Sequence, residues 1–329
     1  MTPFNYMRVA TAGEAVKAVA AQPQARYLGG GTNLLDLMKD NLESASDLVD
    51  VTRLQLTEIA EKSGGVSIGA LAKNSDTANH PLIRTRYPLL TQAMLAAASA
   101  QIRNMATNGG NLLQRTRCGY FYDTALPCNK RAPGTGCGAR EGLNRMHAIF
   151  GASEQCVAIH PSDMAVALAA LDAKIHVRTP GGTERVIPMA DFHRLPGDHP
   201  ERDNTLEHGE LIERIELPPS NFADHSYYLK VRDRTSYAFA LVSVAAALEL
   251  DGDTIKDARL AMGGVAHKPW RAHQAEKALI GKKATEENFA AAAEAEMKAA
   301  QPLTHNAYKV ELGQRAIVRA LLRANGRGR

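Results

Sequence analysis

The apolar residues of this chain change rhythm several times along its length. In the first third they alternate between a period of two and a period near 3.6. The stretches DLVDV and GVSIGAL read as strands, with β-branched residues beside turn signals. ARYLGGGTNLLDLMK reads as a short strand at Tyr27 and Leu28, a glycine turn, and a helix from about Asn33. YPLLTQAMLAAAS is apolar on most of its faces, which predicts a buried helix. Then the rhythm stops. Residues 113–157 are rich in Gly, Pro, Arg and Lys and show no period, as expected of a loop held by something other than a hydrophobic core.

Regular structure is expected to resume at QCVAIH and then at PSDMAVALAALDA, where Ser162 suits an N-cap and Asp163 the first helical turn. KIHVRT, GTERVIP and ELIERIEL read as strands. From about residue 226 the style changes: YYLKVR, FALVSVAAALEL and IKDARLAMGG suggest three consecutive antiparallel strands, the second made ambiguous by its alanines. Ala-rich helical stretches follow near 272–280, 285–300 and 306–324. The LPPSNF punctuation places a domain boundary near 222–226. There are no internal repeats, and the tail GRGR is expected to fray.

Composition narrows this picture. A chain of 329 residues exceeds one small core and suggests two or three domains. A net charge of +4 lacks the strong basic stripe that nucleic acid calls for. The start, MTPFNYMRVATAGEAVKAV, has no basic segment followed by an apolar one, so no signal peptide is expected. No apolar run is long enough for a membrane helix.

Two glycine motifs carry candidate chemistry. GGGTN, residues 29–33, sits between a strand and a helix, where glycines let the backbone approach an anion and the helix directs free N–H groups toward it. It is neither the Rossmann fingerprint, since position 34 is Leu34, nor a P-loop. A tight turn without ligand explains it equally well. TNGGNLL, residues 107–113, repeats the pattern as a polar loop. The pair suggests an extended ligand with phosphates and a ribose or ribityl chain.

All 4 cysteines fall in one window, spaced C-x9-C-x8-C-x18-C. A large chain without an export signal does not need disulfides. Structural zinc usually shows a C-x2–4-C knuckle, absent here, and compact ferredoxin spacing is absent too. A metal or cluster site leads, with zinc and disulfides as alternatives. Arg115, Arg117, Lys130, Arg131, Arg140 and Arg145 lie in or beside the window and are expected to offset a cluster's negative charge, or else to form a solvated loop.

GGGTNLLDLMK, ATNGGNLL, HPSDMAVALAALDA and KVRDRTSYAFALVSVAAALEL, in that order, resemble the FAD-binding medium subunit of the molybdenum hydroxylases, the xanthine dehydrogenase and carbon monoxide dehydrogenase family. The extra stretch NLLQRTRCGYFYDT is most like the flavin and [4Fe–4S] subunit of bacterial periplasmic-type aldehyde oxidoreductases. The likeness spans nearly the whole chain. It implies an α+β fold: a vanillyl-alcohol-oxidase-type FAD-binding domain over residues 1–224, of two α/β subdomains (about 1–55 and 56–224). The Cys-rich insert would occupy about 113–157. A C-terminal domain, 225–329, would hold a three-stranded antiparallel sheet and a helical bundle.

The resemblance assigns Leu28, Gly29, Gly30, Gly31, Thr32, Asn33, Leu34 and Leu35 to the FAD pyrophosphate and ribose, and Thr107, Gly109, Gly110 and Asn111 to a second FAD loop. Asp163 would lie near the ribityl chain or ring, and Lys230 would line the pocket; a helix-start carboxylate and a solvated strand lysine are the plain alternatives. Cys118, Cys128, Cys137 and Cys156 would hold a [4Fe–4S] cluster. His147 and His160 are expected to be ordinary hydrogen-bonding histidines, while His267 resembles part of a loop near the flavin.

The function implied is electron transfer, from a [2Fe–2S] small subunit to FAD and on to an external acceptor, within a complex whose molybdenum-cofactor large subunit oxidises aldehyde to carboxylic acid. No general base or nucleophile stands out, and a flavin subunit needs none. The alternatives are a free-standing FAD-dependent oxidase with its own organic substrate and a zinc-stapled scaffold. Neither nucleic-acid binding nor membrane insertion is expected. Residence would be periplasmic, by co-export with a twin-arginine-bearing partner, or cytoplasmic.

Overall fold

The computed structural model describes residues 1–326; the tail from residue 327, where fraying is expected, lies outside the described residues. Three sheets organise the chain. The first is parallel, with strands β1 (Asn5–Arg8), β2 (Arg26–Leu28) and β3 (Asp47–Asp50) in the order β1-β3-β2. Parallel neighbours need crossover connections, which the helices Ala12–Ala20 and Leu34–Lys39 supply. The first of these helices starts at a capping box, with Thr11 accepting from the Glu14 amide while Glu14 reaches back. Its apolar face, Val16 and Val19, packs with Val9, Val49 and Leu54.

The second sheet is antiparallel. Strands β4 (Ile59–Lys62), β5 (Gly65–Gly69), β6 (Lys174–Arg178), β7 (Glu184–Pro188) and β8 (Leu211–Leu217) take the order β4-β5-β8-β6-β7. The buried helices Pro88–Ala96 and Asp163–Ala170 share its core. Ser162 caps the latter by accepting from the Ala165 amide, as its sequence implies.

The third sheet holds β9 (Ser226–Val231), β10 (Val242–Asp251), β11 (Thr254–Gly263) and the two-residue β12 (Trp270–Arg271), in the order β12-β11-β10-β9. The expected three antiparallel strands thus gain a short fourth on the edge. The ambiguous alanines of β10 have a clear cause. Val242, Val244, Ala246 and Leu248 face the helices His273–Leu279, Glu286–Met297 and Tyr308–Ala324, while Ala245 and Ala247 join the core containing Asp163–Ala170. A strand covered on both faces loses its polar alternation, and small side chains let the layers approach.

Three expectations need correction. QCVAIH is not a strand; it runs irregularly, tied by the His160 amide to the Ala266 carbonyl and by the Ala148 amide to the Val157 carbonyl. TNGGNLL is not a loop, because Asn108–Leu112 closes one helical turn on Thr107. The cysteine window is not wholly irregular either: it contains the one-turn helices Gly119–Tyr122 and Gly138–Glu141.

Candidate cofactor sites

The glycine turn after β2 lies against the backbone that leads into the second glycine motif. A Cβ on Gly30 would stand 2.1 Å from the Met105 carbonyl oxygen, and one on Gly29 3.0 Å from Thr107 Oγ1. Gly31 takes a left-handed φ of 74°, which disfavours any side chain. The glycines therefore let two backbone segments meet. Thr107 accepts from the Gly110 amide, and Gly109 packs against Ala70. Beneath them Asn108 donates to Thr77 Oγ1 at 2.8 Å and Asn111 donates to Asn74 at 2.8 Å, fixing the motif from below.

The two segments open onto a cavity of about 450 Å³. Its wall includes Leu28, Gly29, Gly30, Gly31, Thr32, Asn33 and Leu34 from the first motif, and Thr107, Gly109 and Gly110 from the second. Leu35 and Asn111 are not on that wall. The donor chemistry suits an anionic, hydroxyl-rich ligand such as FAD. Asn33 uses its Oδ1 to accept the Arg115 amide at 3.0 Å, while its Nδ2 is buried without a partner. An unpartnered buried donor on a cavity wall is costly unless a ligand or water takes it.

Asp163 and Lys230 meet each other instead of the cavity. Lys230 Nζ lies 2.7 Å from Asp163 Oδ2, and Tyr228 donates to Asp163 Oδ1 at 2.6 Å. Burial, with the carboxylate beside it, pushes the Tyr228 phenol well up. The pair reaches the second glycine motif indirectly: Ser162 donates to Asn111 Oδ1 at 2.6 Å.

The four cysteines are free thiols and all line one small cavity, together with Phe121, Lys130 and Ala139. Disulfides are thereby corrected. Cys128 and Cys137 face each other across an isolated backbone bridge. Burial pushes the Cys118 thiol up to about 11 and the Cys156 thiol to about 12. Among the described residues, no group of three or more His, Cys, Asp or Glu is arranged to hold a metal ion. The thiols thus share a cavity without being drawn together as ligands of one centre, whether zinc or an iron–sulfur cluster.

The basic residues do not stand free around the thiols. Arg115 pairs with Glu43 and Asp203, Lys130 with Asp203, Arg140 with Glu154 and Arg145 with Asp233. Arg117 donates to Tyr122 Oη, and Arg131 donates to the carbonyls of Tyr120, Phe121 and Leu126. Backbone polar groups and carboxylates recruit them, so they form neither a solvated loop nor a set of cations turned only toward the thiols.

Of the histidines, one departs from expectation and His147 does not. His147 Nε2 lies 3.1 Å from Cys118 Sγ, and burial lowers its pKa to about 4. His160 is not an ordinary hydrogen-bonding histidine, since its Nε2 is buried without a partner. His267 donates through Nδ1 to the Arg194 carbonyl and faces Asp203 at 3.8 Å.

The residues that sequence reasoning misses are Glu43 and Asp203, both on the large cavity's wall with Arg115. Arg115 draws notice only as a neighbour of the thiols. Asp203 lies in HPERDNT, an unremarkable polar loop that offers no signal.

Residues 2–220 match the FAD-binding domain in molybdopterin dehydrogenase, and residues 227–324 match the carbon monoxide dehydrogenase flavoprotein C-terminal domain. The chain is 48% identical, over 98% of its length and 99% of the relative's, to the aldehyde oxidoreductase FAD-binding subunit PaoB of Escherichia coli K12. It is 31% identical to the glyceraldehyde dehydrogenase medium chain of Sulfolobus acidocaldarius, over 85% of this chain and 82% of that one. Among solved structures, a chain of carbon monoxide dehydrogenase from Hydrogenophaga pseudoflava superposes with a TM-score of 0.78 at 26% identity, covering 100% of both chains. Two turns that meet through glycine, a cavity between them and a family match over most of the chain agree: this protein belongs to the FAD-binding medium subunits of the molybdenum hydroxylase family.

Proposed function

We propose that this chain is the FAD-carrying electron-transfer subunit of a molybdenum-dependent aldehyde oxidoreductase. It would take electrons from a [2Fe–2S] partner subunit and deliver them to an external acceptor, while a large molybdenum-cofactor subunit oxidises the aldehyde. The observation that carries this reading is the near full-length 48% identity to an aldehyde oxidoreductase FAD-binding subunit. The superposition on carbon monoxide dehydrogenase chains favours it over a free-standing oxidase.

FAD, when bound, supplies chemistry that accepts electrons singly and releases them singly or in pairs. The chain's residues bind and orient it. Backbone groups of Leu28, Gly29, Gly30, Gly31, Thr32, Asn33 and Leu34 would take the pyrophosphate and ribose, with Asn33 Nδ2 as a further donor and Leu35 packed behind Gly31. Thr107, Gly109 and Gly110 would form the second side, with Asn111 behind them bonded to Ser162 at the start of the helix that carries Asp163, the partner of Lys230. Cys118, Cys128, Cys137 and Cys156 would hold a [4Fe–4S] cluster, a one-electron store; their convergence on one cavity supports this. No helix among the described residues is long and apolar enough to cross a membrane. Residence, in the periplasm by co-export with a twin-arginine-bearing partner or in the cytoplasm, would follow the large subunit.

The test is purification of the chain alone and with the products of neighbouring genes, followed by flavin, iron and molybdenum analysis. Alone it should turn over no aldehyde, yet its FAD should be reduced by dithionite and reoxidised by a soluble acceptor. With its partners, aldehyde should reduce the flavin. Robust aldehyde oxidation by the isolated chain, free of molybdenum, would establish the free-standing oxidase instead.

A further inference from the structure

The glycine-lined cavity and the thiol-lined cavity share a partition, built from three charged side chains and one ring. Arg115 and Asp203 line the first cavity, while Lys130 and Phe121 line the second. Asp203 joins them. Its Oδ2 accepts from Arg115 Nε at 2.9 Å and its Oδ1 from Lys130 Nζ at 2.5 Å. Lys130 is buried and gives a second bond to the Pro200 carbonyl at 2.6 Å, so its ammonium has little freedom to turn elsewhere. The Arg115 guanidinium carbon lies 4.9 Å from the centre of the Phe121 ring, and Phe121 also lines the thiol cavity. The Arg115 amide also holds Asn33 of the glycine turn. Each cation thus belongs to one cavity, and one carboxylate fixes both.

We propose that Asp203 is a positioning residue that couples the two cofactor sites, so that loading the thiol cavity strengthens FAD binding and loading FAD strengthens retention of the cluster. The inference rests on the proposed assignment of FAD to the glycine-lined cavity and of an iron–sulfur cluster to the four cysteines. A negative cluster among the thiols gives the Lys130 ammonium, already held by Asp203 and the Pro200 carbonyl, a further charge partner, and so stiffens the Lys130–Asp203 link. Asp203 in turn holds the Arg115 guanidinium, which lines the flavin cavity itself, while the backbone amide of the same residue holds the Asn33 side chain. Linkage makes such a coupling reciprocal. With Asp203 replaced by an amide, Lys130 and Arg115 lose their common charge partner and the two sites become independent.

The experiment uses the full chain, prepared anaerobically with its cluster or stripped of iron by a chelator, and titrated with FAD while flavin fluorescence is followed. In the wild type, iron removal should weaken FAD binding by about five-fold or more. The flavin reduction potential should also move on cluster loading. In Asp203→Asn the factor should fall to near one and the potential should no longer respond. Asp203→Glu, which keeps the charge, should restore part of both. A merely structural role would lower affinity in both forms and leave their ratio alone. If the wild type binds iron and FAD but iron removal leaves FAD affinity unchanged, the coupling is overturned while the cofactor assignment stands. An Asp203→Asn protein that keeps the wild-type factor overturns it as well. Should that variant not fold, Lys130→Gln and Arg115→Lys must each reduce the factor, and a wild-type factor in either overturns the proposal. A wild-type chain that takes up no iron or no FAD removes the assignment and the coupling with it.

Discussion

Lys230 and Asp163 form an ion pair at 2.7 Å whose side chains are 4% and 5% exposed, at the junction between β9 and the helix Asp163–Ala170. Lys230 also donates to the Ala96 carbonyl at 3.1 Å, and Tyr228 completes the carboxylate's shell. The pair therefore ties the C-terminal sheet to the helix behind the second glycine motif. Removing one partner strands the other as a buried charge. Lys230→Met should cost about 3–5 kcal/mol in urea unfolding. A variant as stable as the parent would mean that the pair is open to water in solution.

The glycines separate two effects that sequence alone merges. Gly30 and Gly110 read as equivalent points of close approach to a ligand. In the structure Gly30 is crowded by protein backbone, the Met105 carbonyl at 2.1 Å, whereas Gly110 meets only Thr107 Oγ1 at 3.0 Å. Gly30→Ala should force the two motifs apart and yield protein with little bound flavin. Gly110→Ala should fold and lose less, since its hydroxyl neighbour can shift by a few tenths of an ångström, while Gly110→Val projects further into the cavity and should empty it. Flavin absorbance after gel filtration checks this. Equal yellow colour in Gly30→Ala and the parent would sink it.

How far the sequence carries is visible in these residues. The glycine turn is legible because backbone approach leaves a direct mark: side chains disappear where chains must touch. Ser162 and Asp163 are legible because capping is local. Asp203 is not, because its partners Arg115 and Lys130 are distant in sequence and their meeting depends on the path of the whole insert. The compensation of the basic residues is illegible for the same reason. The short helix at Asn108–Leu112 is obscured by Gly109 and Gly110, poor helix formers that are held in one turn by the Thr107 cap and the Asn74–Asn108–Asn111 network.

Besides His147, three buried histidines give the fold a defined weakness to acid. His193 and His267 are held near 4 by burial, and burial places His160 well below its ordinary 6.5. His160 and His193 are in ring contact, with centroids 4.1 Å apart. The sign follows from proton counts: between 6.5 and about 4 the unfolded chain binds protons that the folded one refuses, so stability falls as pH drops through that window. Each histidine contributes at most about 1.4 kcal/mol per pH unit. His160→Phe should therefore lose about 2 kcal/mol less than wild type between about pH 7 and pH 5 in urea unfolding. Identical pH dependence would show that His160 protonates freely in the folded state.

The cysteines make the sharpest prediction about composition. Four free thiols around one cavity, two of them held at about 11 and 12 by burial, are poor candidates for independent ionisation. A bound metal centre changes that balance, because coordination takes the thiolate and releases the proton. The anaerobically prepared chain should contain about four irons and as many acid-labile sulfides. Cys→Ser at Cys118, Cys128, Cys137 or Cys156 keeps the size of the side chain but offers iron a poorer ligand, and each change should remove or convert the centre. His147, 3.1 Å from Cys118, provides the contrast: as a neutral neighbour outside the four-thiol set, His147→Phe should leave the iron content near that of the wild type. Iron and sulfide analysis with the visible and electron paramagnetic resonance spectra reads all five variants. Stoichiometric zinc without iron in freshly prepared protein would rule out the cluster and return the window to a structural staple.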